Sequence, residues 1–451
     1  MQIIVKSYIS VLLMLLLAGS AFGGEYKIVA PVTLLLLQDD ARWGAEVIAD
    51  EHRPEKTWLS QFDSPASIIN VDTTISNAIN SCPETGYCVV QLNKPITLSS
   101  VLIIDRPKTK IIGLSDNNIT FDNAGGGSIF EIGSNTSEII IENLVFYGGP
   151  DNYGDNGIFA IYVSGENIDK VAIKDNEIHH IQSDEDAHGI AIYGEGSTES
   201  SAIRNIIIEN NHVHDMKTGS SESIVVNGNV KNWEIIKNRV VDVNNIAIDA
   251  IGGEGTVPPQ TVNGRMLPHP LDAARYGFIE DNVVTRMSTV GNPAYGGGHS
   301  WAGAIYVDGA HHLYIANNTV TDTEWAYDIG AENCVVSRDV VLENNTASNS
   351  YYGDFLIGGY AEIGFKDLAG QAINCNPITS SDADEGHGYV ENVTVKNNTF
   401  NSPTTTPHPQ FENTIELSFR IRQTVIIQSG VTEDHPNGIV NGDENSIRVT
   451  E

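Results

Sequence analysis

The stretch NIIIENNHVHDM at residues 205–216 shows the pattern that decides the fold. An alternating apolar segment leads up to Asn211, and a second alternating segment starts directly after it. Side chains on a β-strand alternate between its two faces, so each segment is typical of a strand. We therefore predict two short strands joined by a sharp corner that carries Asn, because Asn can hydrogen-bond nearby backbone and tolerates the left-handed conformation that such a corner needs.

The same frame recurs along the chain, and successive corner residues are 27 to 53 residues apart. A solenoid accepts such variation because extra residues leave the coil as loops while the strands stay in register. We expect the corner amides to stack as a ladder, each one bonded to backbone or to the next amide. The predicted corner residues are Asn143, Asn176, Asn211, Asn238, Asn282, Asn318, Asn345 and Asn398.

A third strand that ends in Gly or another small residue precedes each copy of the frame. Its copies are IYVSG (161–165), IAIYG (190–194), IVVNG (224–228), IDAIG (248–252), IYVDG (305–309), YDIGA (327–331) and FLIGG (355–359). Three strands per coil, repeated, predict an all-β chain that forms a single parallel β-helix.

With its coil period, Asn corner and N-terminal cap, the sequence resembles the right-handed parallel β-helix proteins of the pectate-lyase-like superfamily over roughly residues 70–430. The resemblance implies the right-handed form of the fold. That superfamily includes lyases, hydrolases, epimerases and non-enzymatic adhesins, so the resemblance does not select one reaction.

The chain divides into four predicted segments. Residues 1–23 contain Lys6 and the run ISVLLMLLLAGS and are typical of a signal peptide, which predicts a secreted or periplasmic protein without a stable membrane anchor. Residues 24–99 form an N-terminal segment and cap, in which TTISNAINS predicts a short helix over the open end of the stack. The β-helix is predicted for 100–403, followed by a strand-rich C-terminal cap and tail at 404–451.

The composition is strongly acidic, with 58 Asp and Glu against 25 Lys and Arg and a formal net charge of −33. Such a charge favours solubility and argues against nucleic acid or an anionic membrane as a partner. Because salt screens charge beyond about 10 Å, an anionic glycan is still compatible with it. We expect a monomer that acts on an extracellular polysaccharide.

The four cysteines fit an oxidising compartment. Cys82 and Cys88 flank the short stretch PETGY, so a disulfide could close a small loop there, and Cys334 and Cys375 could join two loops on neighbouring coils. Free thiols are the alternative for each pair. Neither pair has the spacing of a zinc site with His.

Three long insertions all attach to the third strand of the coil, at 253–276, 287–303 and 360–389. Long loops in a compact protein are usually functional or disordered. Because these loops belong to neighbouring coils, they predict a walled cleft on the face formed by the third strands.

Alignment of the third strands on their closing residue predicts which side chains point into this cleft. Adjacent coils are about 4.8 Å apart, so carboxylates at matching positions would form one patch. Asp is disfavoured in strands, and stacked like charges need a cation or a shifted pKa, so the patch points to function rather than to a solvated face. The patch comprises Asp249, Tyr306, Asp308, Asp328, Glu254 and Glu332.

Two chemistries could use this patch. In the first, which we favour slightly, a lyase acts on a uronate-containing glycan by β-elimination. Its five carboxylates, Asp249, Asp308, Asp328, Glu254 and Glu332, would bind Ca²⁺, an ion that prefers oxygen ligands. Tyr306 or a His would be the acid. The superfamily resemblance implies Lys or Arg as the base, and the candidates on flanking loops are Lys231, Arg265, Arg275 and His299.

In the second chemistry, an inverting glycoside hydrolase uses Asp249 and Asp328 as acid and base, since their backbones would be roughly 9 to 10 Å apart. A third hypothesis is a non-catalytic glycan-binding or surface protein. For substrate binding we expect Tyr162 and Tyr193 as sugar-stacking platforms, with Asn227 and His311 as polar contacts.

A second group of polar residues follows the Asn corner on a different face. His179, His180, His212 and His214, with Asp215, are compatible with a weak metal site or with simple stacking of polar side chains. The sequence favours stacking.

Overall fold

A computed structural model describes residues 44–115, 117–123, 125–149, 153–154, 156–262, 265–332, 335–359, 388–401, 415–417, 421–422, 424–427 and 447–450. The predicted signal peptide 1–23 lies outside these residues. So do the cysteines 334 and 375 and most of the segments 360–389 and 404–451.

Three long sheets, called here A, B and C, contain only parallel strand pairs between neighbouring coils. Sheet A consists of Ser67–Asn70, Cys88–Leu92, Thr109–Gly113, Ser137–Glu142, Asp169–Lys174, Ile203–Glu209, Val230–Ile236, Arg275–Glu280, His311–Ala316, Val336–Glu343, Tyr389–Lys396, Ile421–Arg422, Thr424–Ile427 and Ile447–Thr450. Sheet B consists of Ile96–Leu98, Asn118–Phe121, Val145–Tyr147, Glu177–His179, His212–Met216, Arg239–Val243, Val283–Met287, Thr319–Thr321, Thr346–Ser348 and Thr399–Phe400. Sheet C consists of Leu102–Ile103, Gly127–Ile132, Ile158–Gly165, Ala187–Gly194, Ile224–Gly228, Ile248–Ile251, Gly303–Asp308, Trp325–Ala331, Gly353–Gly359 and Ile415–Leu417.

Each coil runs through sheet A, then sheet B, then sheet C, as the repeat predicted. In one coil the strands are Ile203–Glu209, His212–Met216 and Ile224–Gly228. Their inward side chains, such as Ile206 and Val213, are fully buried in one continuous core. The predicted all-β fold, a single right-handed parallel β-helix, is confirmed.

The corner amides form a ladder at the turn from sheet A to sheet B. Each Nδ2 donates to the Oδ1 of the next corner Asn, over 2.9 to 3.1 Å. The ladder consists of Asn176, Asn211, Asn238, Asn282, Asn318, Asn345 and Asn398.

Two details of the corner prediction are wrong. The left-handed conformation belongs to the residue before each ladder Asn, for example Asn210 with φ 54° before Asn211. Asn143, with φ 52°, occupies that preceding position, and Leu144 stands in the ladder column of its coil. The main-chain N–H of Leu144 donates to Oδ1 of Asn176, so the ladder ends there.

The N-terminal end of the core is covered by the α-helix Ile75–Asn80. The Thr74 hydroxyl caps it by accepting from the main-chain N–H of Asn77, and Ile75, Ala78 and Ile79 are buried in the core. A disulfide bond joins Cys82 to Cys88 just after the helix. The strand Ser67–Asn70 already pairs within sheet A, so the coils start before the predicted boundary at residue 100.

A segment from Gly44 to Asp63 crosses the outer face of sheet A. Trp58 and Phe62 pack there, and Lys56 and Arg53 form ion pairs with the buried carboxylate of Glu234. This segment covers apolar outward residues of sheet A and leaves sheet C to the long loops.

The other regular elements are short. An antiparallel hairpin lies inside the first predicted cleft loop. Its strands are Gln260–Val262 and Arg265–Leu267. Outside the hairpin, the 3-10 helices are Asp50–His52, Thr57–Asp63, Glu199–Ser201 and Pro293–Tyr295. In the described part of the chain, no helix combines the length and the hydropathy needed to cross a membrane.

Candidate active site

The strand register of sheet C brings the predicted aspartates together. Asp249 pairs with Tyr306, and Tyr306 pairs with Asp328, so the three residues form one row across three neighbouring strands. The residues on either side of each of them, such as Ile305 and Val307, point into the core. The row therefore lies on the outer face of sheet C, as the alignment of closing residues predicted.

The carboxyl groups of this face are removed from solvent. Asp249 is 1%, Asp308 5% and Asp328 8% exposed. Burial, together with the charges of Glu222, Asp308 and Glu254, raises the pKa of Asp249 well above its usual range. Burial also raises the pKa of Asp308 and of Asp328, and Glu332 adds to both shifts.

Tyr306 is the centre of a second set of contacts. Its hydroxyl donates to Oε1 of Glu332 over 2.9 Å, and the main-chain N–H of Glu332 donates to Oδ1 of Asp308 over 2.7 Å. A Cβ on Gly330 would lie 2.7 Å from the Tyr306 hydroxyl, so the ring needs glycine at that place. The tyrosine is thus held between the carboxylates of three coils.

The first cleft loop returns to the same face through Glu254 and Asp272. Nδ2 of Asn227 donates to Oε2 of Glu254 over 2.6 Å, and burial raises the pKa of Glu254 to about 7. Asp272 accepts from the main-chain N–H groups of Gly255 and Val257, and burial raises its pKa to about 6. Asn227, which we expected to contact substrate, therefore fixes a carboxyl group.

A buried histidine adjoins this cluster, and sequence reasoning missed its partners. Nε2 of His188 lies 3.0 Å from Oδ1 of Asp186, and Nδ1 lies 2.8 Å from the main-chain oxygen of Glu222. Both nitrogens thus face acceptors, which favours the imidazolium ion. Burial alone would lower the pKa of His188, but Asp186 and Glu222 raise it, and burial raises the pKa of Glu222 to about 8.

The second cleft loop contributes Tyr295, at the end of the 3-10 helix Pro293–Tyr295. Partial burial raises the pKa of Tyr295, a hydrogen bond with Asn245 lowers it, and the charges of Glu222, Glu332 and Asp249 add smaller increases. Asn292 holds the loop by donating to the main-chain oxygens of Gly219 and Asn244.

Aromatic side chains extend the face toward the N-terminal coils. The rings of Tyr162 and Tyr193 meet edge to face with centroids 5.7 Å apart, and Phe159 stacks on His188 at 4.9 Å. Both tyrosines are partly exposed next to the carboxyl cluster. They are therefore placed where a bound sugar could stack on them.

Several predicted site residues have partners elsewhere. Lys231 pairs with Glu199, and that same carboxylate pairs with Arg275. His299 pairs with Glu324 at 2.7 Å and stacks on Tyr351 at 3.6 Å, at the start of the strand Trp325–Ala331.

His311 lies in sheet A, on a different face from the cluster, and burial lowers its pKa to about 3. Arg265 begins a strand of the hairpin in the first cleft loop. Among the described side chains, those of Lys231, His299 and His311 have no contact with Asp249, Asp308 or Asp328.

The predicted calcium ligands share one face without closing around a common point. Within the described ranges, Asp249, Asp308, Asp328, Glu254 and Glu332 do not form a group whose ligand atoms all lie within 4.8 Å of one another. One feature fits a cation: Oδ1 of Asp249 is buried and has no hydrogen-bond partner in the described structure.

A separate groove of about 720 Å³ lies along the ends of the sheet B strands, between Asp215 and Val290.

No family model matches the sequence. An uncharacterized protein from Bacillus subtilis, YwoF, is 41% identical over 202 residues, which are 45% of this chain and 40% of that protein. The chain thus matches less than half the length of this curated relative.

Among solved structures, a family 28 exopolygalacturonase from Yersinia enterocolitica matches with a TM-score of 0.51 and 13% identity, over 85% of this chain and 78% of that chain. The A-module of a mannuronan C-5 epimerase from Azotobacter vinelandii matches with a TM-score of 0.41 and 11% identity, over 84% and 94%. The chain has the right-handed parallel β-helix fold that the sequence resemblance implied.

Proposed function

We propose that this protein is a polysaccharide-cleaving enzyme whose active site is the carboxyl cluster on the outer face of sheet C. The observation that carries the proposal is the row Asp249, Tyr306, Asp328, buried on three neighbouring strands with raised pKa values for both aspartates. Clustered ionisable groups with such shifts cost stability and are concentrated at functional sites.

The geometry favours hydrolysis over β-elimination, which reverses the order suggested by the sequence. Lys231 and Arg275 both pair with Glu199, and His299 pairs with Glu324. Three of the four predicted bases therefore have other partners. The groups that do meet are carboxyl groups, and a pair of them suffices for glycoside hydrolysis.

We assign Asp249 as the proton donor and Asp328 as the base that activates water. Burial raises the pKa of both carboxyl groups, but Asp249 is also crowded by Glu222, Asp308 and Glu254, whereas Asp328 has Glu332 alone as an acidic neighbour that raises its pKa. Asp249 therefore holds its proton more strongly, and Asp328 is the one that ionises to act as base. The two residues are two strands apart, or roughly 9 to 10 Å between backbones, which suits the inverting arrangement with room for a water molecule. Asp308 and Asp328, on adjacent strands and two positions apart, would be separated by roughly 8 Å and are the second possible pair.

A calcium-dependent lyase is the second candidate. It is favoured by the unpartnered, buried Oδ1 of Asp249, since a buried carboxylate oxygen needs a donor or a cation. Glu254 and Asp308 lie on the same face, but their oxygens would have to move toward Asp249 to complete a ligand set, because the three do not converge within 4.8 Å in the described structure. A bound ion would acidify the proton beside a uronate carboxylate. The site of action would be outside the cytoplasm, as the apolar run within residues 1–23 supports.

The test is to incubate the protein with a panel of neutral and uronate polysaccharides, with and without EDTA. New reducing ends without ultraviolet absorbance of an unsaturated product support hydrolysis. Unsaturated product that disappears with EDTA supports the lyase. If neither signal appears on a broad panel, the enzyme proposal fails and a non-catalytic glycan-binding or surface protein is favoured.

Variants locate the activity. Asp249→Asn and Asp328→Asn should each abolish product formation. Asp169→Asn is the matched control, because Asp169 is a strand aspartate of sheet A that pairs with Arg204 on another face. Loss of activity in all three variants would contradict the assignment to sheet C.

A further inference from the structure

Sheet B carries a two-by-two array of polar side chains on neighbouring coils. Glu177 pairs with His212, and His179 pairs with His214, in the register of the strands Glu177–His179 and His212–Met216. Because residues two apart on a strand share a face, all four side chains point the same way. The buried Ile178 and Val213 between them point into the core.

Three of these side chains converge. Nε2 of His214 lies 3.1 Å from Oε1 of Glu177, and the rings of His212 and His214 have centroids 4.3 Å apart. Each of the three residues offers one ligand atom within 4.8 Å of the other two. Within the residues that the structure describes, no other set of three or more His, Cys, Asp or Glu side chains meets this distance.

The second nitrogen of His214 is already engaged. Its Nδ1 lies 2.7 Å from Oδ2 of Asp215, whose left-handed backbone, with φ 52°, turns the carboxylate toward the ring. If Nδ1 donates to Asp215, a neutral His214 presents the lone pair of Nε2 to the carboxylate of Glu177. Two acceptors facing each other repel, so a cation, either a proton or a metal ion, belongs between them.

The arrangement around His214 is typical of metal-binding histidines. Such histidines usually donate their other N–H to a carboxylate, which orients the ring and raises its basicity.

We propose that Glu177, His212 and His214 form a binding site for a divalent transition metal ion such as Zn²⁺. Two imidazoles and one carboxylate are a known ligand set for zinc and suit it better than calcium, which prefers oxygen. The ion would join two neighbouring coils of sheet B, and the partly exposed position leaves its fourth coordination site to water. The site lies on another sheet from the carboxyl cluster and does not depend on the function proposed for that cluster.

The sequence alone favoured polar stacking for these histidines, and Glu177 was not among the residues that it singled out. The strand register supplies the third ligand. From the sequence, Glu177 could be recognised as the third ligand only by aligning consecutive coils at the Asn corner. Glu177 and His212 each follow a ladder Asn directly.

The experiment uses the full chain without a polyhistidine tag, stripped with a chelator and titrated with Zn²⁺ against a chromophoric competitor. We expect one ion per chain, and a rise in the thermal unfolding midpoint with added Zn²⁺. His212→Ala and Glu177→Gln should each weaken binding at least tenfold and remove the rise in midpoint. Having two such variants keeps the test valid if one of them does not fold.

His179→Gln is the matched control, because His179 stacks on His214 at 5.1 Å but is not one of the converging ligands. Its affinity for Zn²⁺ should stay within about threefold of the original chain. The proposal is overturned if the original chain binds no Zn²⁺, which would assign a proton to the position between Glu177 and His214. It is also overturned if His212→Ala and Glu177→Gln bind as tightly as His179→Gln.

Discussion

The hydroxyl of Tyr306 donates to Oε1 of Glu332 over 2.9 Å, across two neighbouring coils of sheet C. The same glutamate donates its main-chain N–H to Asp308, so one short link fixes both the tyrosine and an aspartate of the cluster. The ring also crosses Gly330, where a side chain would collide with it. A tyrosine held in this way between acidic groups is suited to orient a substrate or to transfer a proton.

Tyr306→Phe removes only this hydroxyl. On a polysaccharide that the protein cleaves, we expect kcat to fall by about 10², because the loss of a group that positions substrate and catalytic residues costs about that much. The free energy of unfolding should change by no more than about 1 kcal/mol, because the ring still packs and Glu332 can reach solvent. Steady-state kinetics and urea unfolding measure the two effects.

Tyr327→Phe is the matched control, one strand away and facing the core. Its hydroxyl donates to the main-chain oxygens of Asn318 and Thr346. This variant should lose about 1–3 kcal/mol of stability and keep its kcat. Equal losses of kcat in both tyrosine variants would refute a special role for Tyr306.

Asp249→Asn separates activity from stability. The carboxyl group is 1% exposed and crowded by other acids, so the isosteric amide removes a group that costs folding energy when it ionises. We expect activity to disappear while the thermal midpoint near neutral pH stays the same or rises. A lower midpoint would mean that Asp249 has a structural role, contrary to the proposal.

The repeat predicts far more of this molecule than of its site. Because strand residues alternate and coils stack in register, counting back from each Asn corner correctly placed Asp249, Tyr306 and Asp328 in one row. The register between neighbouring strands recurs in every coil. Each copy of the repeat in the sequence therefore gives the same information about which residues lie side by side.

The rest of the site lies where the repeat gives no information. Asp186 and Glu222 come just before the strands Ala187–Gly194 and Ile224–Gly228, in turns whose lengths differ between coils. The ion pairs of His299 with Glu324 and of Lys231 with Glu199 join residues that are 25 and 32 positions apart. Which carboxylate a basic side chain meets across such loops depends on tertiary packing, and no local pattern in the sequence encodes it.

The raised pKa values predict that the protein loses stability as the pH rises. Burial raises the pKa of Glu222 to about 8 and that of Glu254 to about 7, whereas an unfolded chain would release these protons near about pH 4.3. The folded state therefore holds protons that the unfolded state gives up, and the free energy of unfolding falls between about pH 4 and pH 8. The raised pKa of His188 acts in the same direction, because the stability that its protonated ring contributes is lost as the pH rises through the pKa of His188 in the folded state.

Glu222→Gln should make this fall shallower, most clearly above about pH 7, when urea unfolding is measured at a series of pH values. Glu84→Gln is the control, because Glu84 is exposed and its variant should follow the original chain at every pH. A stability profile that rises between about pH 5 and pH 8 would contradict the assigned burial of these acids.

The Asn ladder predicts that removal of one buried side-chain amide lowers the free energy of unfolding substantially. Oδ1 of Asn211 accepts from the main-chain N–H and from the amide of Asn176, and its Nδ2 donates to the main-chain oxygen of Ile173. Asn211→Ala leaves these groups buried without partners, so we expect a loss of about 2–4 kcal/mol in urea unfolding. Asn210→Gly, at the exposed left-handed position just before it, should cost no more than about 1 kcal/mol, because glycine adopts φ 54° without strain. If the two variants lost equal stability, the corner would depend on backbone conformation alone, and the amide stack would contribute nothing of its own.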